Sequence, residues 1–89
     1  MTGRPVTAVT VTLYTKSGCH LCADVKAELT TLQAIHPHQV QEVDITQDDD
    51  LFRRYRFRIP VLRVGTAVLF APIDRAQLMA ALAIATQTP

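Results

Sequence analysis

The chain has 89 residues, which is enough for one compact domain, and we expect residues 1–89 to form a single domain. Hydrophobic residues make up 48% and charged residues 19%, a composition typical of a globular rather than a disordered protein. The formal net charge of +1 excludes a strong bulk field toward nucleic acid or a membrane surface, and neither is expected as a partner.

The first predicted element is a strand over residues 9–14, in an alternation that begins near Val6. Apolar residues at positions 9, 11 and 13 alternate with polar ones, which is the two-residue period of a half-buried strand. A turn over residues 16–18 follows, in which Gly18 relieves backbone restriction. The turn leads directly to Cys19.

A helix is predicted next, over residues 19–35. Its buried stripe is expected to consist of leucines and a valine at helical spacing, namely Leu21, Val25, Leu29 and Leu32. Pro37 prevents the helix from running on. A second strand follows over residues 40–45, with Val43 and Ile45 as its apolar face. The order strand–helix–strand predicts two parallel strands joined by a right-handed crossover.

Residues 48–55 predict a short helix, because acidic residues lead and basic residues follow, which complements a helix dipole. Two ion pairs with a spacing of four are expected, from Asp49 to Arg53 and from Asp50 to Arg54. The basic and aromatic residues 53–58 also permit interpretation as a nucleic-acid patch. The order of the charges favours an ordinary solvated helix over a nucleic-acid patch.

His36 and His38 flank Pro37 and have two interpretations. They are either ligands of a metal ion or solvated side chains at the end of a helix. No carboxylate or cysteine lies adjacent in sequence to complete a ligand set, which favours solvated histidines and no metal site.

Residues 59–64 and 67–70 predict an antiparallel hairpin joined by Gly65 and Thr66. Both runs are nearly continuous in apolar residues, as expected for strands buried on both faces. The last helix is predicted to begin after Asp74 and to reach about Thr86. Asp74 and Gln77 fit a capping box. The expected buried stripe consists of Leu78, Ala81, Leu82 and Ala85.

The two cysteines of the chain, Cys19 and Cys22, lie in the first turn of the first predicted helix. Backbone N–H groups and the positive end of the helix dipole favour a thiolate there. Residues 1–5 lack the apolar core of a signal peptide and no apolar run is long enough to span a bilayer, so we expect a cytoplasmic protein. In that compartment a lone Cys-x-x-Cys is more often catalytic than structural, and two cysteines fall short of a zinc ligand set.

The predicted order β-α-β-α-β-β-α, with Cys-x-x-Cys at the first helix and a proline opening the third strand, resembles the thioredoxin-like superfamily. Within it, the chain is similar to small bacterial glutaredoxin-like proteins. The matching segments are residues 13–22, 43–45, 54–55 and 58–62. The resemblance implies an α/β fold whose four-stranded mixed sheet, in the order second, first, third, fourth strand, is flanked by three helices. The first and last helices then cover one face, and the short helix covers the other.

The resemblance also implies a thiol–disulfide oxidoreductase. Cys19 would be the nucleophile and Cys22 the thiol that resolves the mixed disulfide. The bond between Ile59 and Pro60 would be cis and face the cysteines, which would leave the backbone of Ile59 free to pair with an extended substrate.

Three further residues complete the expected substrate-binding set, and each keeps a second interpretation. His20 either stabilises the thiolate when charged or is a solvated helix residue. Lys16 either adds a positive field or is solvated. Tyr14 either lines a groove beside the cysteines or packs at the end of the strand.

The sequence departs from typical glutaredoxins in two places. His20 and Leu21 replace the usual Pro-Tyr between the cysteines, and Gly65-Thr66 stands where a Gly-Gly turn followed by Asp helps to hold glutathione. Glutathione therefore stays open as a co-substrate, with a glutathionylated or disulfide-containing protein as substrate and a reductase or glutathione as electron donor. We expect a monomer without a tightly bound cofactor. The alternatives are a non-enzymatic redox sensor and an iron–sulfur or partner-binding module.

Overall fold

A computed structural model describes residues 9–87, so the predicted onset of the first strand near Val6 lies outside the described residues. The elements in chain order are β1 (Val9–Thr15), α1 (His20–Leu32), β2 (His38–Asp44), α2 (Asp49–Tyr55), β3 (Val61–Val64), β4 (Ala67–Phe70) and α3 (Arg75–Gln87). A single 3-10 turn at Ile45–Gln47 joins β2 to α2. None of the helices within these residues combines the length and the apolar character needed to cross a membrane.

The strands form one sheet in the order β2-β1-β3-β4. β1 and β2 run parallel, while β3 is antiparallel to both of its neighbours. These observations confirm the predicted α/β fold, with a four-stranded mixed sheet flanked by three helices. Tyr14 near the end of β1 lies opposite Val61 at the start of β3. The segment that follows β1 and the segment that precedes β3 therefore lie at the same end of these two strands.

The core lies between one face of the sheet and the helices α1 and α3. The alternation in β1 points Val11 and Leu13 to this face, where both are at most 1% exposed. α1 and α3 contribute apolar residues at helical spacing to this core, namely Val25, Leu29, Leu32, Leu78, Ala81 and Leu82. The predicted stripe of the last helix is thus confirmed, with Ala85 at its margin.

The short helix α2 covers part of the opposite face, as predicted. The ring of Tyr55 in α2 lies 5.0 Å from the ring of Tyr14 in β1 and 6.4 Å from that of Phe70 in β4, measured between centroids. Val68 and Phe70 are nevertheless 42% exposed. The expectation that β4 is buried on both faces is therefore wrong. β4 is an edge strand, and α2 is too short to cover all of it.

The helix α1 differs from its prediction in where it ends and in which residue near its start is buried. It ends at Leu32, because the N–H groups of Gln33 and Ile35 donate to carbonyls three residues back, which tightens the chain into turns before Pro37. Near its start, Leu21 is 57% exposed while Cys22 is 3% exposed. Both positions lie within a turn of Val25, and the structure turns Cys22, not Leu21, toward the core.

β2 begins two residues earlier than predicted, at His38, and Ile45 lies in the following 3-10 turn with no exposure. His38 is 6% exposed, and its Nδ1 lies 2.7 Å from the carbonyl oxygen of His36. The prediction of solvated histidines is therefore wrong for His38, which pairs in the sheet with Val9. Within residues 9–87 no three histidine, cysteine or acidic side chains cluster as metal ligands.

The start of α2 shows which charges of the predicted helix interact. Asp48 is the N-cap, and its carboxylate accepts a hydrogen bond from the N–H of Leu51 at 3.1 Å. Arg53 pairs with Asp50, three residues back, in place of the predicted pairs with a spacing of four. Before this helix, Asp44 accepts from the N–H and hydroxyl of Thr46, and these hydrogen bonds lower the pKa of its carboxyl group.

The predicted capping box of α3 is present. The N–H of Gln77 donates to the Asp74 carboxylate at 2.8 Å, and the N–H of Asp74 donates to the Gln77 side-chain oxygen at 2.9 Å. Two N–H groups that the helix itself leaves without partners are thereby satisfied.

Replacing Asp74 by alanine should lower the free energy of unfolding by about 1 kcal/mol, because the N–H of Gln77 loses its acceptor. Urea denaturation of the oxidised protein measures the effect. Asp74→Asn is the matched control, since asparagine is an equally good N-cap and should restore most of the loss. A variant with alanine that is as stable as the wild type would contradict the role of the capping box.

Candidate functional site

A tight turn carries the chain from β1 to the first cysteine. The N–H of Cys19 donates to the carbonyl oxygen of Lys16 at 3.3 Å, which closes the turn. Gly18 has a φ of +79°, in the left-handed region that other residues adopt only at a cost, and open space surrounds it. Glycine at this position thus fixes the direction from which Cys19 enters the helix.

Cys19 is the N-cap of α1, as its predicted place at the helix start requires. Its backbone is extended, and its Sγ accepts a hydrogen bond from the N–H of Cys22 at 3.1 Å. Sulfur thus occupies the position that serine or aspartate oxygen takes at most N-caps. The two cysteines form a disulfide, with their Cα atoms 5.2 Å apart, so the structure represents the oxidised protein.

The two cysteines differ in their exposure to solvent. Cys19 is half-buried, whereas Cys22 is 3% exposed and belongs to the inner side of α1. When the pair is reduced, the N–H of Cys22 and the positive end of α1 favour a negative charge on the sulfur of Cys19. Exposure and electrostatics therefore both distinguish Cys19 from Cys22.

In the reduced protein, iodoacetamide near neutral pH should alkylate Cys19 well before Cys22. The thiolate is the reacting form, and Cys19 has both the hydrogen-bond donor and the exposure. Peptide mapping at short reaction times reads out the order. Equal rates would contradict the prediction that Cys19 is the more reactive cysteine, and faster labelling of Cys22 would reverse the order.

A cavity of about 240 Å³ lies against α1 beside the cysteines, and we call it the Pro60 groove. Its lining residues are Leu21, Asp24, Val25, Glu28, Pro60, Ala71, Pro72, Ile73, Asp74 and Arg75. The N–H of Ala71 donates to the carbonyl oxygen of Pro60 at 3.1 Å, which ties two sides of the groove together. The groove thus combines α1 with the segments before β3 and after β4.

A bidentate ion pair spans the Pro60 groove from α1 to α3. Nε of Arg75 lies 2.8 Å from one carboxylate oxygen of Glu28, and a terminal guanidinium nitrogen lies 3.3 Å from the other. The hydrogen bond and charge of Glu28 raise the pKa of Arg75 above its usual value. Both charges are therefore held in place and compensate each other.

A second cavity of about 360 Å³ contains the cysteines themselves, and we call it the Lys16 cavity. Its lining residues are Thr15, Lys16, Gly18, Cys19, His20, Cys22, Ala23, Lys26 and Glu42. Lys26 pairs with Glu42 at 2.7 Å, whereas Lys16 and His20 are exposed. The cysteine pair consequently has basic side chains on this side and the carboxylates of the Pro60 groove on the other.

A glutaredoxin-like domain (DUF836) is the family model that matches this sequence, over residues 10–83. The chain belongs to this glutaredoxin-like family. The match spans β1 to most of α3, and it includes both cysteines and Pro60. Among curated proteins no relative was found.

Solved structures show how far this glutaredoxin-like fold is shared. Protein XcR50 from X. campestris, solved by X-ray crystallography, is 32% identical, with a TM-score of 0.72 over 89% of this chain and 99% of that one. Protein Ne2328 from Nitrosomonas europaea, solved by NMR, is 27% identical, with a TM-score of 0.73 over 89% of this chain and 96% of that one. A malarial protein that is 17% identical, with a TM-score of 0.66 over 88% and 97% of the two chains, shares the fold alone.

The predicted substrate-binding residues of this glutaredoxin-like chain do not all lie in one cavity. Lys16 and His20 line the cavity with the cysteines, and buried Pro60 lines the adjacent groove. Tyr14 instead packs against Tyr55 and lines neither cavity. The peptide bond between Ile59 and Pro60 is cis, as is that between Ala71 and Pro72.

The backbone of Ile59 requires a correction. Its N–H donates to the carbonyl oxygen of Tyr55 at 3.1 Å, as the chain leaves α2. The expectation that this backbone is free to pair with a substrate is therefore wrong for the N–H group. β3 accordingly begins at Val61, two residues after the predicted start.

Several groove residues were not predicted to belong to the site. Asp24, Ile73 and Arg75 line the groove, although no sequence motif marks them as site residues. The pair of Glu28 and Arg75 joins residues 47 positions apart, for which no local pattern exists. Pro72 before the capping box was the signal that a non-helical, apolar segment precedes α3.

Proposed function

We propose that the protein is a thiol–disulfide oxidoreductase, in which Cys19 is the nucleophile and Cys22 the resolving thiol. The observation that supports this role is the position of Cys19. Cys19 is half-buried at the N-terminus of α1, and its sulfur accepts a hydrogen bond from the N–H of Cys22, a residue that is only 3% exposed. Glutaredoxin-like family membership supports redox chemistry at the same pair.

The proposed reaction proceeds in two exchanges. The thiolate of Cys19 attacks one sulfur of a substrate disulfide, a bond forms between protein and substrate, and the other substrate sulfur leaves as a thiolate that takes up a proton. The sulfur of Cys22, after losing its proton, then attacks Cys19, which releases the second substrate thiol. Two electrons have passed to the substrate, and the disulfide between Cys19 and Cys22 remains to be reduced by a donor.

Lys16, His20 and Pro60 are the substrate-binding residues we propose, because they line the two cavities beside the cysteines. We assign the reaction to the cytoplasm, where reducing donors keep such a pair turning over. The proposed substrate is a disulfide-containing protein, and the proposed donor is a dithiol reductase. Glutathione serves as the alternative donor that the experiment must distinguish.

The test is a turnover assay with a generic protein disulfide, supplied either with NADPH and thioredoxin reductase or with NADPH, glutathione and glutathione reductase. NADPH consumption should depend on Cys19 and should be faster with thioredoxin reductase. A single-turnover control avoids the choice of donor, because one equivalent of pre-reduced protein should reduce one equivalent of disulfide. Failure in that control would overturn the proposed function.

A further inference from the structure

The Pro60 groove carries an excess of negative charge. Three of its lining side chains are carboxylates, those of Asp24, Glu28 and Asp74, and one is the guanidinium of Arg75. Glu28 and Arg75 neutralise each other in their bidentate pair. The carboxylate of Asp74 accepts from the N–H of Gln77 but forms no salt bridge among residues 9–87, since the neighbouring Arg75 pairs with Glu28. Two negative charges are left uncompensated, on Asp24 and Asp74.

Asp24 is the more available of these two charges. It is exposed in the second turn of α1, and within the described part of the chain its carboxylate forms no ion pair or hydrogen bond. It follows Cys22 by two residues, on the side of α1 that lines the groove. A cation bound in the groove would therefore meet a carboxylate without displacing an existing partner.

The remaining lining of the groove is apolar. Pro60 and Val25 are buried, Ile73 is half-buried, and Leu21 is 57% exposed although it is large and apolar. Leu21 lies between the two cysteines in the chain, so this apolar surface includes a side chain that is next to Cys22 and two residues from Cys19. The site thus offers apolar contact next to the disulfide and a negative charge one helical turn further on.

We infer that the Pro60 groove binds a segment of a protein substrate that places an apolar residue and a lysine or arginine beside the disulfide to be reduced. This inference rests on the proposed function and names its substrate class. Glutathione is the poorer match, because its two carboxylates and one ammonium give it a net negative charge at neutral pH. Charge complementarity with Asp24 and Asp74 favours the cationic segment instead.

The first test compares two disulfide-bonded peptides that differ only in their flanks, Leu-Lys in one and Leu-Glu in the other. For exposed charge pairs at low ionic strength, kcat/KM should favour the lysine peptide by roughly two- to fivefold, and 0.5 M salt should remove most of the preference. Asp24→Asn should bring the ratio close to one. Asp49→Asn is the matched control, because Asp49 is exposed on α2, across the sheet from the groove, and should leave the ratio unchanged.

The second test measures binding without turnover. Peptides with serine in place of cysteine are titrated into the oxidised protein, and NMR follows the methyl groups of Leu21 and Ile73. The lysine peptide should shift these signals at lower concentration than the glutamate peptide. Equal binding, shifts confined to the Lys16 cavity, a preference for the glutamate peptide, or a ratio that Asp24→Asn leaves unchanged would overturn the inference. Loss of turnover with every disulfide would overturn the proposed function alone, since this binding test does not require turnover.

Discussion

Cys22→Ser should convert the protein into one that captures its protein substrates and does not release them. Cys19 still attacks a disulfide, but nothing positioned remains to attack the resulting mixed disulfide, because Cys22 is the other sulfur held next to Cys19. Steady-state turnover of protein disulfides should fall to near background. The covalent complex should accumulate and dissociate on addition of dithiothreitol, as non-reducing gels followed by mass spectrometry can show.

Cys19→Ser is the control for this experiment, since it removes the accessible sulfur and should yield no adduct. The opposite result is equally informative. A glutathione-specific enzyme resolves its mixed disulfide with a second glutathione and needs only Cys19. A Cys22→Ser variant that reduces glutathionylated peptide at close to the wild-type rate would therefore contradict the dithiol mechanism.

Leu29→Ala should have the largest effect on stability. Leu29 lies in the third turn of α1, has no exposure and belongs to the core cluster shared with the sheet and α3. Truncating such a side chain costs about 2–5 kcal/mol through lost burial and the cavity left behind. For a domain of this size each kcal/mol lowers the melting temperature by about 4–8 °C. Thermal and urea denaturation should both show the loss.

The same helix provides the matched control. Leu21→Ala removes the same atoms from a side chain that is 57% exposed, so the free energy of unfolding should change by no more than about 0.5 kcal/mol. A comparable loss in both variants would contradict the assignment of Leu29 to the core and Leu21 to the surface. Both measurements require the oxidised form, so that the disulfide is the same in each.

Local chemistry made much of this fold predictable from the sequence. The capping box at Asp74, the turn at Gly18 and the place of Cys19 at a helix start each depend on residues within four positions of one another. The spacing of the apolar residues predicted the helices and the strands. Strand order came from the family resemblance, and register came from the structure, because pairing of Tyr14 with Val61 joins residues 47 positions apart.

The errors share a physical cause, which is that burial depends on distant neighbours. Val68 and Phe70 are as apolar as a core strand, but β4 lies at the edge of the sheet and a helix of 7 residues covers the adjoining face. His38 is polar, yet it is buried where β2 meets the start of β1. The Pro60 groove likewise assembles from three separate segments, so no single stretch of sequence reveals it.

The two residues between the cysteines have a consequence for how such a protein diversifies. His20 lines the Lys16 cavity and Leu21 lines the Pro60 groove, although they are neighbours in the chain. Both are exposed, so replacing either one costs little folding free energy. Under the proposed function, mutation at one position therefore changes the lining of one cavity while the other cavity and the scaffold stay intact. The two positions between the cysteines can therefore change independently of each other.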